Sequence, residues 1–394
     1  MKNIQLLIGL VLLCQLFFSS CEKPAEIPAT FYDCNYTNFV DNSANHPMND
    51  QFQSILEEGQ RMNIVGASML VKDQNGTWMG AAGKADISNN VDVQACQPFL
   101  IGSISKVFTA TVVMALVDDG LLTLDDPVNQ WIDHSVTDKI DNANESNLRH
   151  LLHHTSGIPD YYTTKYELDR INRVYNGQSQ WETLEYTYNQ SATNAVGASY
   201  YYSNTNFILL GLIAEAASGK TLEQLYKEKI FAPLNLESAW YSESDPIPAG
   251  TVRGYAEIYG NGQFTETEFL YKDELITADG GIICNVYDLA RFIEGLYKGE
   301  LISQEQLNEM MDWEDIPEDW TGPVFGHNRN GQGFEYFTKD YGYAIGHLGG
   351  VDGFSTVLLY FPEKDFTYVY FQNSVGNSDA SEFVYQEIAK LIFN

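Results

Sequence analysis

The stretch GSISKVFTATVVMALVDDG, Gly102 to Gly120, decides how the rest of the chain is read. From Ser103 to Val117 it is apolar on nearly all sides and it ends at a glycine, the pattern of a fully buried helix. At its start Ser103 and Lys106 stand three residues apart, which puts both side chains on one helix face. A serine hydroxyl is a poor nucleophile until a neighbour takes its proton. A lysine does that only where burial or nearby charge lowers its pKa, and Val107 and Phe108 offer apolar surroundings of that kind. The helix N-terminus also aims backbone N–H groups at any oxyanion formed there. An SxxK pattern arises about once by chance in a chain of this size, so its weight comes from where it falls.

Two further pieces lie downstream. Tyr202-Ser203-Asn204 immediately precedes a second apolar helix, Asn206–Ser218, which stops at Gly219. Tyr36-Thr37-Asn38 and Tyr259-Gly260-Asn261 share its spacing, but they sit in a tether and a glycine-rich turn, where no catalytic framework is expected. His347-Leu348-Gly349-Gly350 holds the only HxG of the chain. Glycines there would let a substrate lie against a strand edge, with a backbone N–H left for its oxyanion.

Around these motifs the sequence reads as a mixed α/β (α+β) fold. A short helix is expected at Gln51–Met62, then strands at Ile64–Val71 and Thr77–Ala82 joined by the Asn75-Gly76 turn. Thr221 and Gln224 form a capping box, Val286–Tyr297 is an amphipathic helix, Ser355–Phe361 and Phe366–Phe371 are adjacent strands, and Ala380–Ile392 closes the chain as a helix. The strands cluster at the two ends, so the expected architecture is an antiparallel sheet flanked by N- and C-terminal helices, with a mostly helical domain inserted. The sheet part would take residues 46–102 and 270–394, and the helical part 103–269.

In this order the three motifs resemble the serine β-lactamase and penicillin-binding-protein superfamily, most nearly its class C and D,D-peptidase-related branch. Leu122–Val128, Arg149-His150-Leu151-Leu152-His153-His154-Thr155-Ser156-Gly157-Ile158-Pro159, Ile230–Leu234 and the run from Gly280-Gly281 to Phe292 are similar to segments of that family. The resemblance implies that Ser103 is the acylated nucleophile and Lys106 its proton acceptor or electrostatic activator. It implies that Tyr202 is a general base and acid, its phenol pKa lowered by Lys106. Asn204 would position the substrate amide or the lysine, and the backbone N–H groups of Ser103 and Gly350 would form the oxyanion hole beside Gly349. His347 stands where many relatives carry the lysine of a KTG motif. A neutral imidazole holds a carboxylate less strongly than a permanent cation, which counts against efficient β-lactam turnover. No SDN motif is present, which counts against a class A enzyme.

Composition sets the outer bounds. At 394 residues, 44% hydrophobic and 13% aromatic, the chain can bury a large core. Twenty-two Lys and Arg against 53 Asp and Glu give a net charge of −31, which excludes nucleic acid as a partner class. The same charge is repelled by anionic lipid, so membrane attachment needs another device. The first residues offer one: Lys2, an apolar run Ile4–Phe18, the small pair Ser19-Ser20, then Cys21. This resembles the lipobox of bacterial lipoproteins, with Phe18 in place of the usual Leu. It implies a signal peptide over 1–20, a lipidated Cys21, a tether over 21–45 and a catalytic unit over 46–394, held in the bacterial cell envelope. Of the remaining cysteines, Cys34 and Cys96 are able to pair, whereas Cys284 reads as a buried small hydrophobe.

Rival chemistries lack their residues. His150, His153 and His154 have helical spacing for a metal, but no HExxH accompanies them. No GxSxG, GxGxxG or P-loop occurs, so no metal or cofactor is called for. The expected protein is a monomeric serine hydrolase acting on amide or ester bonds of a small-molecule or peptide substrate, like the D,D-carboxypeptidases, D-aminopeptidases and esterases of the family, or a weak β-lactamase. The alternative is a non-catalytic envelope lipoprotein that binds peptidoglycan or β-lactams.

Overall fold

Alternating apolar residues build a sheet that is covered on both faces. The structure, a computed structural model, describes residues 34, 37, 41–172, 179–244, 246–271, 275–317, 326–339, 342–376 and 378–393. The leader, Cys21 and most of the tether lie outside the described residues. Among those described, the main sheet contains β1 (Gly66–Asp73), β2 (Gly76–Asp86), β3 (Val91–Asp92), β4 (Glu314–Asp315), β5 (His327–Asn330), β6 (Glu335–Lys339), β7 (Gly342–Val351), β8 (Phe354–Phe361) and β9 (Phe366–Gln372). Their order is β3-β2-β1-β9-β8-β7-β6-β5-β4, and every pairing is antiparallel. The first and last thirds of the chain therefore meet at the β1–β9 seam, where Met69 faces Tyr370 and Leu70 faces Val369.

The two-residue period sorts these side chains between two cores. Met69, Val71, Val357, Leu359, Tyr368 and Tyr370 pack with α1 (Asn49–Arg61) and the C-terminal helix (Ser378–Phe393). Leu70, Leu358, Val369 and Phe371 point the other way, into the core built by the central helices. There lie α2 (Ser105–Asp118), α3 (Thr164–Ile171), α4 (Asn204–Ser218) and α5 (Val286–Tyr297), while the C-terminal helix on the opposite face is α6. Every residue of α2 from Ser105 to Leu116 is buried, and Phe108 stacks on Phe292 of α5 at 3.6 Å between ring centroids. Helix α4 is buried from Thr205 to Ala214 and ends at Gly219 in the left-handed conformation, as its sequence requires.

Part of the 21–45 segment rests on the globule. Cys34 is joined to Cys96 by a disulfide, the Thr37 backbone N–H donates to Glu237 at 3.0 Å, and Asn42 donates to the Thr77 carbonyl at 2.8 Å. Cys284 is buried and unpaired, and burial pushes its thiol well above the usual range, so it stays protonated. Among the described residues no helix is long and apolar enough to cross a membrane.

Candidate active site

Ser103 sits in a 3-10 turn, Gly102–Ile104, that runs straight into α2, so Lys106 falls in the first turn of the helix above it. The turn exists because Gly102 adopts φ +53°, and because a Cβ there would stand 2.8 Å from the Gly350 carbonyl oxygen. Only glycine lets the Ser103 peptide press against β7, and this brings Ser103 beside the Gly350 backbone.

Two side chains converge on the Ser103 hydroxyl oxygen. Lys106 Nζ donates to Ser103 Oγ at 3.0 Å and to the Asp279 carbonyl at 2.9 Å. From the other side Tyr202 Oη donates to Ser103 Oγ at 2.9 Å. Lys106 Nζ also lies 5.1 Å from the centroid of the Tyr202 ring and 3.8 Å from Asp279 Oδ2. Asn204, the first residue of α4, donates through Nδ2 to Asp160 Oδ2 at 3.0 Å. Burial, with the nearby charge of Asp279, pushes the Asp160 carboxyl up to about 6.

One expectation needs correction. The sequence reading lowers the Tyr202 phenol through Lys106. In the structure burial dominates and pushes it well above the ordinary phenol value, with the Ser103 hydrogen bond opposing this in part. Tyr202 is therefore a neutral proton donor in the resting protein.

Ser103, Tyr202, Asn204 and Gly350 open onto one cavity of about 370 Å³, between the helical part and the β7–β8 hairpin. A cavity of this size accommodates a small molecule or the end of a peptide. A serine hydroxyl flanked by an amine and a phenol, at a helix N-terminus and beside a strand-edge glycine, is equipped for acyl transfer.

Comparison with known proteins agrees with this geometry: the β-lactamase family model matches residues 52–391. The chain belongs to the β-lactamase family. It is a serine hydrolase of the β-lactamase and penicillin-binding-protein type. It is similar to penicillin-binding protein 4* of Bacillus subtilis, 24% identical over 86% of this chain and 75% of the relative. It is also similar to the unguisins hydrolase ungD' of Aspergillus campestris, 25% identical over 84% of this chain, though spanning only 63% of that relative. Among solved structures, the D-amino acid amidase of Ochrobactrum anthropi shares the fold with a TM-score of 0.74 at 23% identity, over 88% of this chain and 99% of that one. The penicillin binding protein of Bacillus halodurans shares it with a TM-score of 0.72 at 22% identity, over 86% and 99%.

Two residues named from the family's pattern stand back from the cavity. His347 lies inside β7, is 2% exposed, and has its ring 6.5 Å from that of Tyr202, behind the phenol. Burial and the Lys106 charge hold its imidazole down to about 3, so it is neutral. Gly349 makes room for the strand to pack: a Cβ there would stand 2.1 Å from the Ile101 carbonyl oxygen and from Thr356 Oγ1. Neither residue lines the cavity among the described residues. Conversely, Asp279 and Glu335 carry no role in the sequence reading, and His154 is weighed there only as a metal ligand. Asp279 directly precedes the Gly280-Gly281 pair, and that adjacency is the local signal for it. Glu335 belongs to no motif, and only the pairing of β6 with β7 brings it under His347.

Proposed function

We propose that this family member forms an acyl-enzyme on Ser103 and hydrolyses amide or ester bonds of small molecules or peptides. Ser103 Oγ attacks the carbonyl carbon while its proton passes to Lys106, which reacts as the unprotonated amine because Tyr202 keeps its own proton. The oxyanion is met by the backbone N–H groups of Ser103 and Gly350. As the C–N or C–O bond breaks, Tyr202 is placed to return a proton to the departing amine or alcohol. Water then attacks the Ser103 ester, releases the acid and restores the hydroxyl. The observation that carries this reading is the position of Ser103 Oγ between Lys106 Nζ at 3.0 Å and Tyr202 Oη at 2.9 Å.

Intact-mass measurement after exposure to an activated ester or a β-lactam tests it. One adduct is expected on the wild type and none on Ser103→Ala. Absence of any adduct, or its persistence on Ser103→Ala, overturns the assignment and favours a binding protein. We further propose that Cys21 carries a lipid anchor to the envelope, on the sequence pattern alone. Cys21→Ser would then move the protein from the detergent phase to the aqueous phase in a partition assay, and unchanged partition refutes the anchor.

A further inference from the structure

Helix α2 grips the segment before Gly280 at two successive carbonyls. Thr109 Oγ1 donates to the Ala278 carbonyl, and Lys106 Nζ donates to the Asp279 carbonyl at 2.9 Å. The Gly281 backbone N–H closes the turn by donating to the Thr277 carbonyl at 3.0 Å. The Asp279 side chain is thereby held against the lysine that contacts Ser103. Its Oδ2 lies 3.8 Å from Lys106 Nζ, and the two side chains are 7% and 0% exposed. Tyr161 Oη donates to the same carboxylate oxygen at 3.0 Å. The other oxygen, Oδ1, is buried and accepts no hydrogen bond from any described residue. A buried carboxylate with an unfilled oxygen gains from a positive charge formed beside it.

Proton transfer from Ser103 creates that charge. As Oγ bonds to the substrate carbonyl carbon, the carbonyl π pair moves to oxygen and the Oγ–H bond breaks. The proton takes up the Lys106 lone pair, and a neutral amine becomes an ammonium 3.8 Å from Asp279. Burial alone opposes this ammonium, whereas a carboxylate at that distance favours it, and does so only once the proton has begun to move. The other ionisable groups around Lys106 are neutral or turned elsewhere. Tyr202, beside α4, is pushed up by burial, and Tyr226, which meets Thr109, is pushed up likewise. His154 and, on β7, His347 are held down by burial and by Lys106 itself. On β6, burial pushes Glu335 up to about 8, and its Oε2 accepts from the Leu348 N–H. Asp160, pushed up to about 6 by burial, accepts from the Tyr162 N–H and from Asn204 Nδ2.

We propose that Asp279 is a positioning residue acting through Lys106: its carboxylate holds the ammonium that forms as Ser103 is acylated, and so sets how readily Lys106 takes the Ser103 proton. The proposal rests on Ser103 as the acylated residue and Lys106 as its proton acceptor.

Two measurements test it, and the first needs no turnover. In the Ser103→Ala protein with lysine isotope-labelled at Cε, the Lys106 resonance is assigned by its loss in Lys106→Met. Its titration is then followed by NMR with and without Asp279→Asn. Losing an opposite charge at this distance should lower the Lys106 midpoint by about one to three pH units. The second measurement is the pH profile of Ser103 acylation by an activated ester, read by stopped flow. In Asp279→Asn the acid limb should move to lower pH by the same amount. The plateau rate should fall about tenfold, because a weaker base accepts the proton less readily. A residue that only packs would lower the rate at every pH and leave the limb in place. An unchanged Lys106 midpoint, or an unmoved acid limb, overturns the proposal. Asp279→Ser, smaller and equally neutral, takes over if Asp279→Asn does not fold. If the midpoint moves but the wild type forms no acyl adduct, the hydrolase reading fails and the role in acylation falls with it, while the Asp279–Lys106 pair stands.

Discussion

The ring of Tyr202 lies stacked on that of His154, with centroids 4.5 Å apart and planes inclined by 26°. His154 is fixed from behind: its Nδ1 accepts from the Ser203 backbone N–H at 3.1 Å and lies 3.2 Å from Asn206 Nδ2. Burial, then the charge of Lys106, holds the imidazole well below its usual range, so the platform under Tyr202 is neutral. His154→Ala removes the platform and strands the Ser203 N–H. We expect a loss of about 2–4 kcal/mol in stability and a fall of at least about tenfold in kcat with little change in KM. His154→Phe keeps a ring but no acceptor, so it should recover activity better than stability. Full kcat in His154→Ala would show that Tyr202 is held by other means.

Gly102 gives the sharpest steric test. Its φ of +53° and the 2.8 Å approach of a Cβ to the Gly350 carbonyl leave no room for alanine. Gly102→Ala must either move Ser103 off the strand edge or strain the turn, at a cost of about 1–3 kcal/mol. Acylation should fall by more than about a hundredfold, the scale of losing one oxyanion donor. Stopped-flow acylation with an activated ester measures this, and a rate within a few fold of wild type would refute the placement of the oxyanion hole.

The proton path makes a different demand. Tyr202→Phe leaves the packing against His154 and removes only the hydroxyl that reaches Ser103 at 2.9 Å. Because the phenol is neutral and opens onto the cavity, its loss should leave the melting temperature nearly unchanged. Acylation should slow by about 10²–10⁴, the usual contribution of one positioned acid or base. Lys106→Met removes the other neighbour of Ser103 and should slow acylation by as much or more. Equal rates in Tyr202→Phe and wild type would assign proton transfer to Lys106 alone.

Legibility in the sequence followed the strength of the local signal. Val286–Tyr297 is an amphipathic helix with the bounds expected, and Thr221 and Gln224 form the expected capping box, because period and cap chemistry are properties of adjacent residues. The strands at 354–361 and 366–372 were visible as β-branched and aromatic runs. Strand β7 was not. Gly342, Gly346, Gly349 and Gly350 erase its strand propensity, so the HLGG motif carries no strand pattern of its own although it lies within the sheet. Ser103, Lys106 and Tyr202 meet because two all-round apolar helices announce themselves and carry the motifs at their starts. Asp279 and Glu335 owe their places to pairing between segments distant in sequence, which no local pattern encodes.

Glu335 yields a prediction about stability against pH. It is buried on β6, its Oε2 accepts from the Leu348 backbone N–H at 2.8 Å, and His327 and His347 lie 3.8 Å from its two oxygens. Burial pushes its carboxyl up to about 8. The folded state therefore holds this proton more tightly than the unfolded chain, whose glutamates titrate near about 4.3. Stability from the neutral carboxyl is complete below that value and is lost as pH rises towards 8. Asp160 and Asp288, raised to about 6, act in the same direction but finish near that pH. His153 and His327, held down to about 4, and His347, to about 3, act oppositely, losing stability as pH falls below the ordinary imidazole range. Between about pH 6.5 and about pH 8 Glu335 then contributes a fall of roughly 1–2 kcal/mol, against a rise from the buried imidazoles, whose unfolded counterparts are still about half protonated at the lower end. Calorimetric melting across that window should show Glu335→Gln, which keeps an oxygen for Leu348, gaining on the wild type by that amount as pH rises. A constant gap between the two proteins would place the slope elsewhere.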